Sequence, residues 1–439
     1  MHRRQTVRLP RRARRSIASD ARCIVLRTNQ KGVSMLHAPP LPLTLDRAPA
    51  HVIHNDVEAL VVARDLAGRV SAGATSRDRE RHLPVDEVDW FSQSGLWGLT
   101  VPQAHGGPEV SQVTLTEIFK IVAQADPSIA QIPQNHYSVV NAISLDGTEA
   151  QQRFFFAEVL RGLRLGNAVS ESGNPSLKEG LTRITAANSH FRLNGRKAYS
   201  IGVLFADWVA VSAVDDEGDR VLAIVPHNAP GVSVRDDWAG FGLRTTASGT
   251  VILDDVIVQP WQIVPSRRFS RPTQAGALSQ ILQAAVGVGI ARAALVDTHD
   301  YVRDRSRPWI DSKVTQANDD PLTINEMGHL QVQLHAAEAM LERAARLIDA
   351  TAPVSTPQEA ALVSLAVAEA KILSTEVALA ATNKLFELVG TQAVSAELDL
   401  DRHWRNARTL TMYDPVRWKY FAVGNFYLND VLPPHHLYF

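Results

Sequence analysis

Apolar residues recur at helical spacing in the first foldable stretch. Val57, Leu60, Ala63, Ala67 and Val70 share one face, behind a cap offered by Asn55 or Asp56. Val88, Phe91 and Leu96 mark a second helical piece, which ends where Pro102, Gly106 and Gly107 force a turn. Leu115, Ile118, Phe119 and Val122 mark a third helix, stopped by Asp126-Pro127, and a fourth runs over residues 128–145. Near Leu165 the period drops to two. Val209, Val211 and Ala213 alternate within residues 208–214, and a turn at 215–219 containing Gly218 leads into R-V-L-A-I-V-P. Asn194-Gly195 predicts a further hairpin, joining H-F-R-L to R-K-A-Y-S. From Gln274 onward long helical patterns return. Thr356, Pro357 and Glu359 form a capping box with proline at the first helical position, opening a helix that runs to Val389 and stops at Gly390. Such a helix is about 50 Å long and needs partners along its length, which implies a bundle. Its many alanines allow close packing, including between subunits.

The predicted fold is therefore α+β and mostly α. An α-helical domain spans residues 50–165, an antiparallel β domain 166–268 and a helical bundle 269–439, after a basic, proline-rich extension over 1–49 read as disordered. Residues 238–258, W-A-G-F-G-L-R-T-T-A-S-G-T-V-I-L-D-D-V-I-V, pass from a glycine-rich loop into a strand bent at Asp254 and Asp255. They lie at the seam of β domain and bundle, where small-molecule sites tend to form.

Composition narrows the function. A formal net charge of -1 argues against nucleic acid or an anionic membrane as the main partner. A single cysteine, Cys23, excludes an internal disulfide framework and fits a reducing, cytoplasmic setting. No uninterrupted apolar run reaches the roughly 18 residues of a membrane span, since residues 281–295 are broken by Gln283 and Arg292. The first 34 residues are strongly basic and lack the apolar core of a secretory signal; they read as a disordered extension ahead of a start at Met35, with a transit peptide or basic arm the alternative. Gly287-Val288-Gly289 mimics part of a dinucleotide fingerprint but sits inside a helical pattern, so it predicts close helix packing. The histidines show no metal-ligand spacing, and no nucleophile elbow is present.

Several blocks occur in a fixed order: L-T-V-P-Q-A-H-G-G (99–107), G-N-A-V-S-E-S-G (166–173), N-G-R-K-A-Y-S (194–200), G-L-R-T-T-A-S-G-T-V-I-L-D-D-V-I-V (242–258), G-I-A-R-A-A-L (289–295) and R-N-A-R-T (405–409). In series they resemble the acyl-CoA dehydrogenase superfamily over residues 50–435. The resemblance implies an α-helical domain, a β domain and a C-terminal four-helix bundle. It also implies a homotetramer and a flavin between β domain and bundle. R-P-W (307–309), D-D-W-A-G-F-G-L-R (236–244), H-W-R-N-A-R-T (403–409), Y-D-P-V-R-W-K-Y (413–420) and the terminal L-N-D-V-L-P-P-H-H resemble its monooxygenase branch. That branch holds the dibenzothiophene monooxygenases and, more similar still, the sulfur-acquisition oxidoreductases of dimethyl sulfone use.

The resemblance implies reduced FMN delivered by a separate NAD(P)H:flavin reductase, with FAD an alternative. O2 and a small organosulfur compound would be the substrates, and a C4a-hydroperoxyflavin the oxidant. By position Asn135, Asn167, Val169, Ser170, Ser172, Lys197, Tyr199, Ser200, Thr391 and Gln392 match flavin-contacting segments. Arg307 would grip the flavin phosphate as a forked donor, and Arg305 matches the dehydrogenases' FAD arginine. His136, Ser200 and Tyr413 are the implied catalytic or hydrogen-bonding groups, His136 having a purely structural alternative. Asp414 stands where many dehydrogenases carry a glutamate base. It is one methylene shorter and is followed by Pro415, which disfavours α-proton removal; capping a helix begun at Pro415 is its other reading.

Departures are visible too. Gln131, Leu410 and Tyr413 replace histidines of the dibenzothiophene enzymes, and Ile201 replaces a hydroxyl residue. They imply a changed substrate, altered proton handling or weakened activity. The favoured expectation is a soluble two-component flavin monooxygenase. The alternatives are an FAD-dependent acyl-CoA dehydrogenase using Asp414 and a catalytically silent flavin-binding protein.

Overall fold

In the computed structural model, which describes residues 49–171 and 181–439, Asn55 turns the chain into its first helix, α1 (Asp56–Ser71). The Asn55 side chain accepts the Glu58 amide at 3.0 Å. Ala59, Ala63, Leu66, Ala67 and Val70 form the buried stripe, whereas Val57 is 73% exposed. At 100° per residue Val57 lies about 200° round from Ala59, so the stripe that meets the core leaves it outside. The helical domain continues with α2 (Ala74–Glu80), α3 (Val85–Gln93), α4 (Gln112–Ala125), α5 (Pro127–Asp146) and α6 (Glu149–Leu160). Asp126 ends α4 and also caps α5, accepting from the Ser128 and Ile129 amides at 3.0 and 3.2 Å with Pro127 at the first helical position.

Eight strands follow among the described residues: β1 (Leu165–Ala168), β2 (Arg183–Ala187), β3 (His190–Ser200), β4 (Trp208–Val214), β5 (Arg220–Pro226), β6 (Val232–Arg235), β7 (Gly249–Val258) and β8 (Ile263–Pro265). Their order is β6-β7-β3-β2-β4-β5-β8, with β1 beside β4. The pairing is mainly antiparallel, but β1 and β2 both run parallel to β4, a correction to the purely antiparallel expectation. Both faces of β4 are covered. Trp208 and Ala210 join the core shared with the helices, while Val209, Val211 and Ala213 join a second apolar cluster on the other face.

The Asn194-Gly195 hairpin does not form. β3 runs straight through it, and the register to β7 shifts between Leu193 and Gly195. The Asn194 side chain accepts the Asp255 amide at 2.8 Å, and Asp255 has a positive φ of 54°. An Asn-Gly pair suits a bulge as well as a turn, and long-range pairing with β7 selected the bulge. The reversal between β2 and β3 is made six residues earlier, at Asn188 with φ 55°.

The bundle comprises α7 (Ala275–Asp304), α8 (Pro321–Ala350), α9 (Pro357–Val389), α10 (Asp401–Leu410) and α11 (Val416–Asn429). The capping box at Thr356 and Glu359 forms reciprocally, and Gly390 closes α9 at φ 79°. A Cβ on Gly287 would stand 2.4 Å from Ser374 Oγ of α9, and one on Gly289 would stand 2.5 Å from Ala123 Cβ of α4. These glycines therefore serve close helix packing. By length and composition α7 could cross a membrane, yet 78% of its apolar window is buried, because it is the central helix of the bundle.

Candidate functional site

Where the sheet, α5 and the bundle meet, a cavity of ≈ 460 Å³ opens. Gln134, Asn135 and Ser138 come from α5; Asn167, Val169 and Ser170 from β1 and the loop after it; Ala198, Tyr199, Ser200 and Ile201 from the end of β3. Trp238, Gly240 and Phe241 close one side, Ser279, Gln280 and Gln283 come from α7, Thr409 from the last turn of α10, and Met412, Tyr413 and Asp414 from the segment after it. Leu437 and Tyr438 complete the wall.

The strand end is shaped by a bulge. The β3–β7 register shifts between Lys197 and Ser200, and Tyr199 takes φ 57°. Tyr199 is thereby left 63% exposed with its ring against Trp238, while Ser200 turns inward at 2% exposure. Ser200 Oγ is buried on the cavity wall with no hydrogen-bond partner among the described residues. A buried hydroxyl left so is costly unless a ligand completes it. The isoalloxazine of a flavin, with its polar edge of ring nitrogens and carbonyls, is a ligand of that kind, so the residues present fit the group.

The loop after β1 is held from behind. Lys197 Nζ lies 2.7 Å from Glu171 Oε1, and Glu171 also accepts the Leu181 and Thr182 amides at 2.8 and 2.9 Å. Burial pushes the Glu171 carboxyl up, but Lys197 and the amides outweigh it and bring it to about 2. Lys197 itself is buried and does not line the cavity; its Nζ donates directly to the Val169 carbonyl at 3.3 Å, and the Ala198 amide donates to the Ser170 carbonyl at 2.9 Å. Residues 238–243 are pinned to the bundle. Asn406 Oδ1 accepts the Leu243 amide at 2.6 Å, and a Cβ on Gly242 would meet the Arg405 carbonyl at 2.0 Å.

Asp414 lines the cavity but caps nothing, since Pro415 occupies the cap position of α11. Its Oδ2 accepts from Lys371 Nζ at 2.8 Å and Gln280 Nε2 at 3.0 Å. Burial raises this carboxyl, but the Lys371 ammonium and the Gln280 amide more than reverse that and hold it below the usual carboxylate range. A carboxylate so held is a weak base. The Tyr413 hydroxyl, raised by burial, stays protonated and has no hydrogen-bond partner among the described residues.

Other expected site residues lie elsewhere. His136 is 1% exposed in the core, its Nδ1 accepting the Leu165 amide at 3.0 Å and its Nε2 bonded to the Trp97 carbonyl at 2.9 Å. Burial lowers it to about 3, so it is neutral, and with both nitrogens engaged it does not reach the cavity. The structural alternative is the one its geometry satisfies. Arg305, Arg307, Thr391 and Gln392 are exposed and do not line this chain's cavity. Ser172 lies outside the described residues. Gln131 is fully buried with its Oε1 unpartnered, and Leu410 is buried against the core.

Lys371, Gln280 and Gln283 were not anticipated. The available signal was a lone lysine within the apolar, alanine-rich run of α9, and glutamines interrupting the apolar run of α7. A polar group on an otherwise buried face calls for a partner.

Family models for the acyl-CoA dehydrogenase N-terminal, middle and C-terminal domains match residues 60–163, 167–256 and 281–418. The chain is 31% identical to the dibenzothiophene monooxygenase of Mycolicibacterium goodii over 393 residues, 86% of this chain and 95% of that protein. It is also 31% identical to SfnC of Pseudomonas putida, named a probable FMNH2-dependent monooxygenase, over 87% of this chain and 97% of that one. The crystal structure of FMN-bound TdsC from a Paenibacillus species superposes with a TM-score of 0.83 at 31% identity, covering 87% of this chain and all 100% of the other. Domain matches in order, relatives covered over nearly their whole length and a shared fold agree: the chain belongs to the acyl-CoA dehydrogenase superfamily, among its flavin-dependent monooxygenases.

Proposed function

We propose that the protein is a reduced-FMN, O2-dependent monooxygenase of a small organosulfur compound in sulfur acquisition. The observation that carries the choice over acyl-CoA dehydrogenation is the Lys371–Asp414 pair, which leaves no basic carboxylate among the described residues that line the cavity. Reduced FMN, when bound there, would supply the two electrons and two protons with which O2 gives one oxygen atom to sulfur and the other to water. Ser200 Oγ and the backbone of Tyr199 to Ile201 hold the polar edge of the ring. Tyr413 Oη, protonated throughout the physiological range, donates a hydrogen bond where the oxygen is transferred. Trp238, Phe241, Met412 and Leu437 keep that space free of bulk water.

Arg305 and Arg307, exposed and outside their own chain's cavity, meet a flavin phosphate only if a second subunit brings it. This makes a homo-oligomer, a tetramer in our reading, part of the cofactor site. α11 supports this with Trp418, Phe421, Tyr427 and Leu428 exposed at 60, 60, 66 and 82%. A separate NAD(P)H:flavin reductase donates the reduced flavin, which places the protein in the cytoplasm with the nicotinamide pool.

The test is a single turnover. Protein loaded with reduced FMN is mixed with thioanisole and ¹⁸O2, and methyl phenyl sulfoxide carrying one labelled oxygen is expected. Unlabelled or absent product, together with bleaching of oxidised flavin by acyl-CoA under argon, would replace this reading with the dehydrogenase.

A further inference from the structure

Lys371, buried near the middle of α9, donates to three oxygens: Gln283 Oε1 at 2.5 Å, Gln280 Oε1 at 2.7 Å and Asp414 Oδ2 at 2.8 Å. An ammonium has three N–H groups and accepts nothing. All three are therefore used, and in both glutamines the atom facing the lysine is the amide oxygen. Their amide nitrogens must point the other way.

For Gln280 that direction is fully occupied, since Nε2 donates to Asp414 Oδ2 at 3.0 Å and to the Leu437 carbonyl at 3.3 Å. Gln283 differs. Its side chain lines the cavity, and its Nε2 has no partner among the described residues. One oriented NH2 donor thus faces the space it shares with Tyr413, with a cation behind its carbonyl to polarise it.

From this geometry we infer that Gln283 selects the oxidation level of the substrate. Its amide donates to an oxygen already bound to sulfur, so the cavity takes sulfoxides, sulfones or sulfinates in preference to sulfides and thiophenes of the same size. A sulfoxide oxygen is a strong acceptor and a thioether sulfur a weak one. A bare sulfide in the same position leaves the amide desolvated and unpaired, at a cost of about tenfold in binding. Lys371 is a positioning residue here: it touches no substrate and acts by fixing which atom Gln283 presents. The inference rests on the organosulfur monooxygenase reading.

Equilibrium dialysis of full-length, FMN-loaded protein tests it without turnover, using thioanisole and methyl phenyl sulfoxide, which differ by one oxygen. The wild type is expected to bind the sulfoxide about tenfold more tightly. Gln283→Met, matched in length and without a donor, is expected to erase that preference while leaving thioanisole affinity within about twofold. Gln283→Glu, which keeps the contact to Lys371 but presents an acceptor, is expected to erase it also. No preference in the wild type, or equal losses for both ligands in Gln283→Met, would overturn the inference. So would a fall in FMN affinity in either variant, which would assign the amide to the cofactor. A preference that depends on Gln283 in a protein that turns neither thioanisole nor methyl phenyl sulfoxide into ¹⁸O-labelled product, and whose oxidised flavin is bleached by acyl-CoA, would sustain the binding inference and remove the oxygenase reading instead.

Discussion

Lys371 Nζ lies 2.8 Å from Asp414 Oδ2, with both side chains buried beneath the cavity that holds the candidate site. Burial pulls the Lys371 ammonium down from its usual range, with Asp414 opposing. The 2.8 Å contact sets each buried group against the opposite charge, which favours the ionised form of both. The position at which many relatives would keep a base is thereby converted into the acceptor half of an ion pair.

Removing one partner leaves the other charge stranded. Asp414→Ala is expected to cost about 3–5 kcal/mol of stability, read as a shift in the denaturant midpoint. The double change Lys371→Met with Asp414→Leu is expected to recover most of that loss. If Asp414→Ala folds with unchanged stability, the buried pair does not exist in solution.

Lys419 sits behind the pair, donating to the Tyr438 carbonyl at 3.1 Å and lying 4.7 Å over the Phe439 ring. Burial, with repulsion from Lys371 and against the pull of Asp414, lowers it to about 7. A lysine depressed in the folded state is bound by more protons in the unfolded chain between that value and the usual ammonium range, so stability rises with pH there. The unfolding midpoint is expected to climb from pH 7 to pH 9, and Lys419→Met is expected to flatten the slope. Parallel slopes in the two proteins would show that Lys419 titrates normally.

Ser200→Ala separates a ligand contact from a structural one. The hydroxyl has no partner among the described residues, so its loss in the flavin-free protein is expected to be neutral or slightly stabilising. FMN affinity is expected to fall about fivefold to tenfold in a fluorescence titration. Equal FMN affinity would remove Ser200 from the cofactor site.

His136→Leu should act on folding alone. It strands the Leu165 amide and the Trp97 carbonyl, each about 1–3 kcal/mol when left unpaired. Turnover per folded molecule should stay within about twofold, because the ring lies outside the cavity. A collapse in kcat with wild-type stability would restore His136 as a catalytic group.

Local chemistry was legible in the residues themselves. The Thr356 box, the stop at Gly390, the break at Asp126-Pro127 and the reversal at 215–219 depend on side chains within a few positions of the backbone they serve. The ordered blocks likewise pointed to the cavity segments around Asn167, Ser200, Trp238 and Tyr413, because each block supplies its own wall of the site. Only the tertiary structure decided what met across distance. Asp414 finds Lys371 43 residues away and Gln280 134 away, and Asn194 becomes a bulge because it meets Asp255, 61 residues on. His136 is consumed by two backbone groups from other elements, while Ser200 Oγ finds no partner among the described residues. A cap is closed by its neighbours, but the charge and proton state of a buried group are set by whatever packing brings against it.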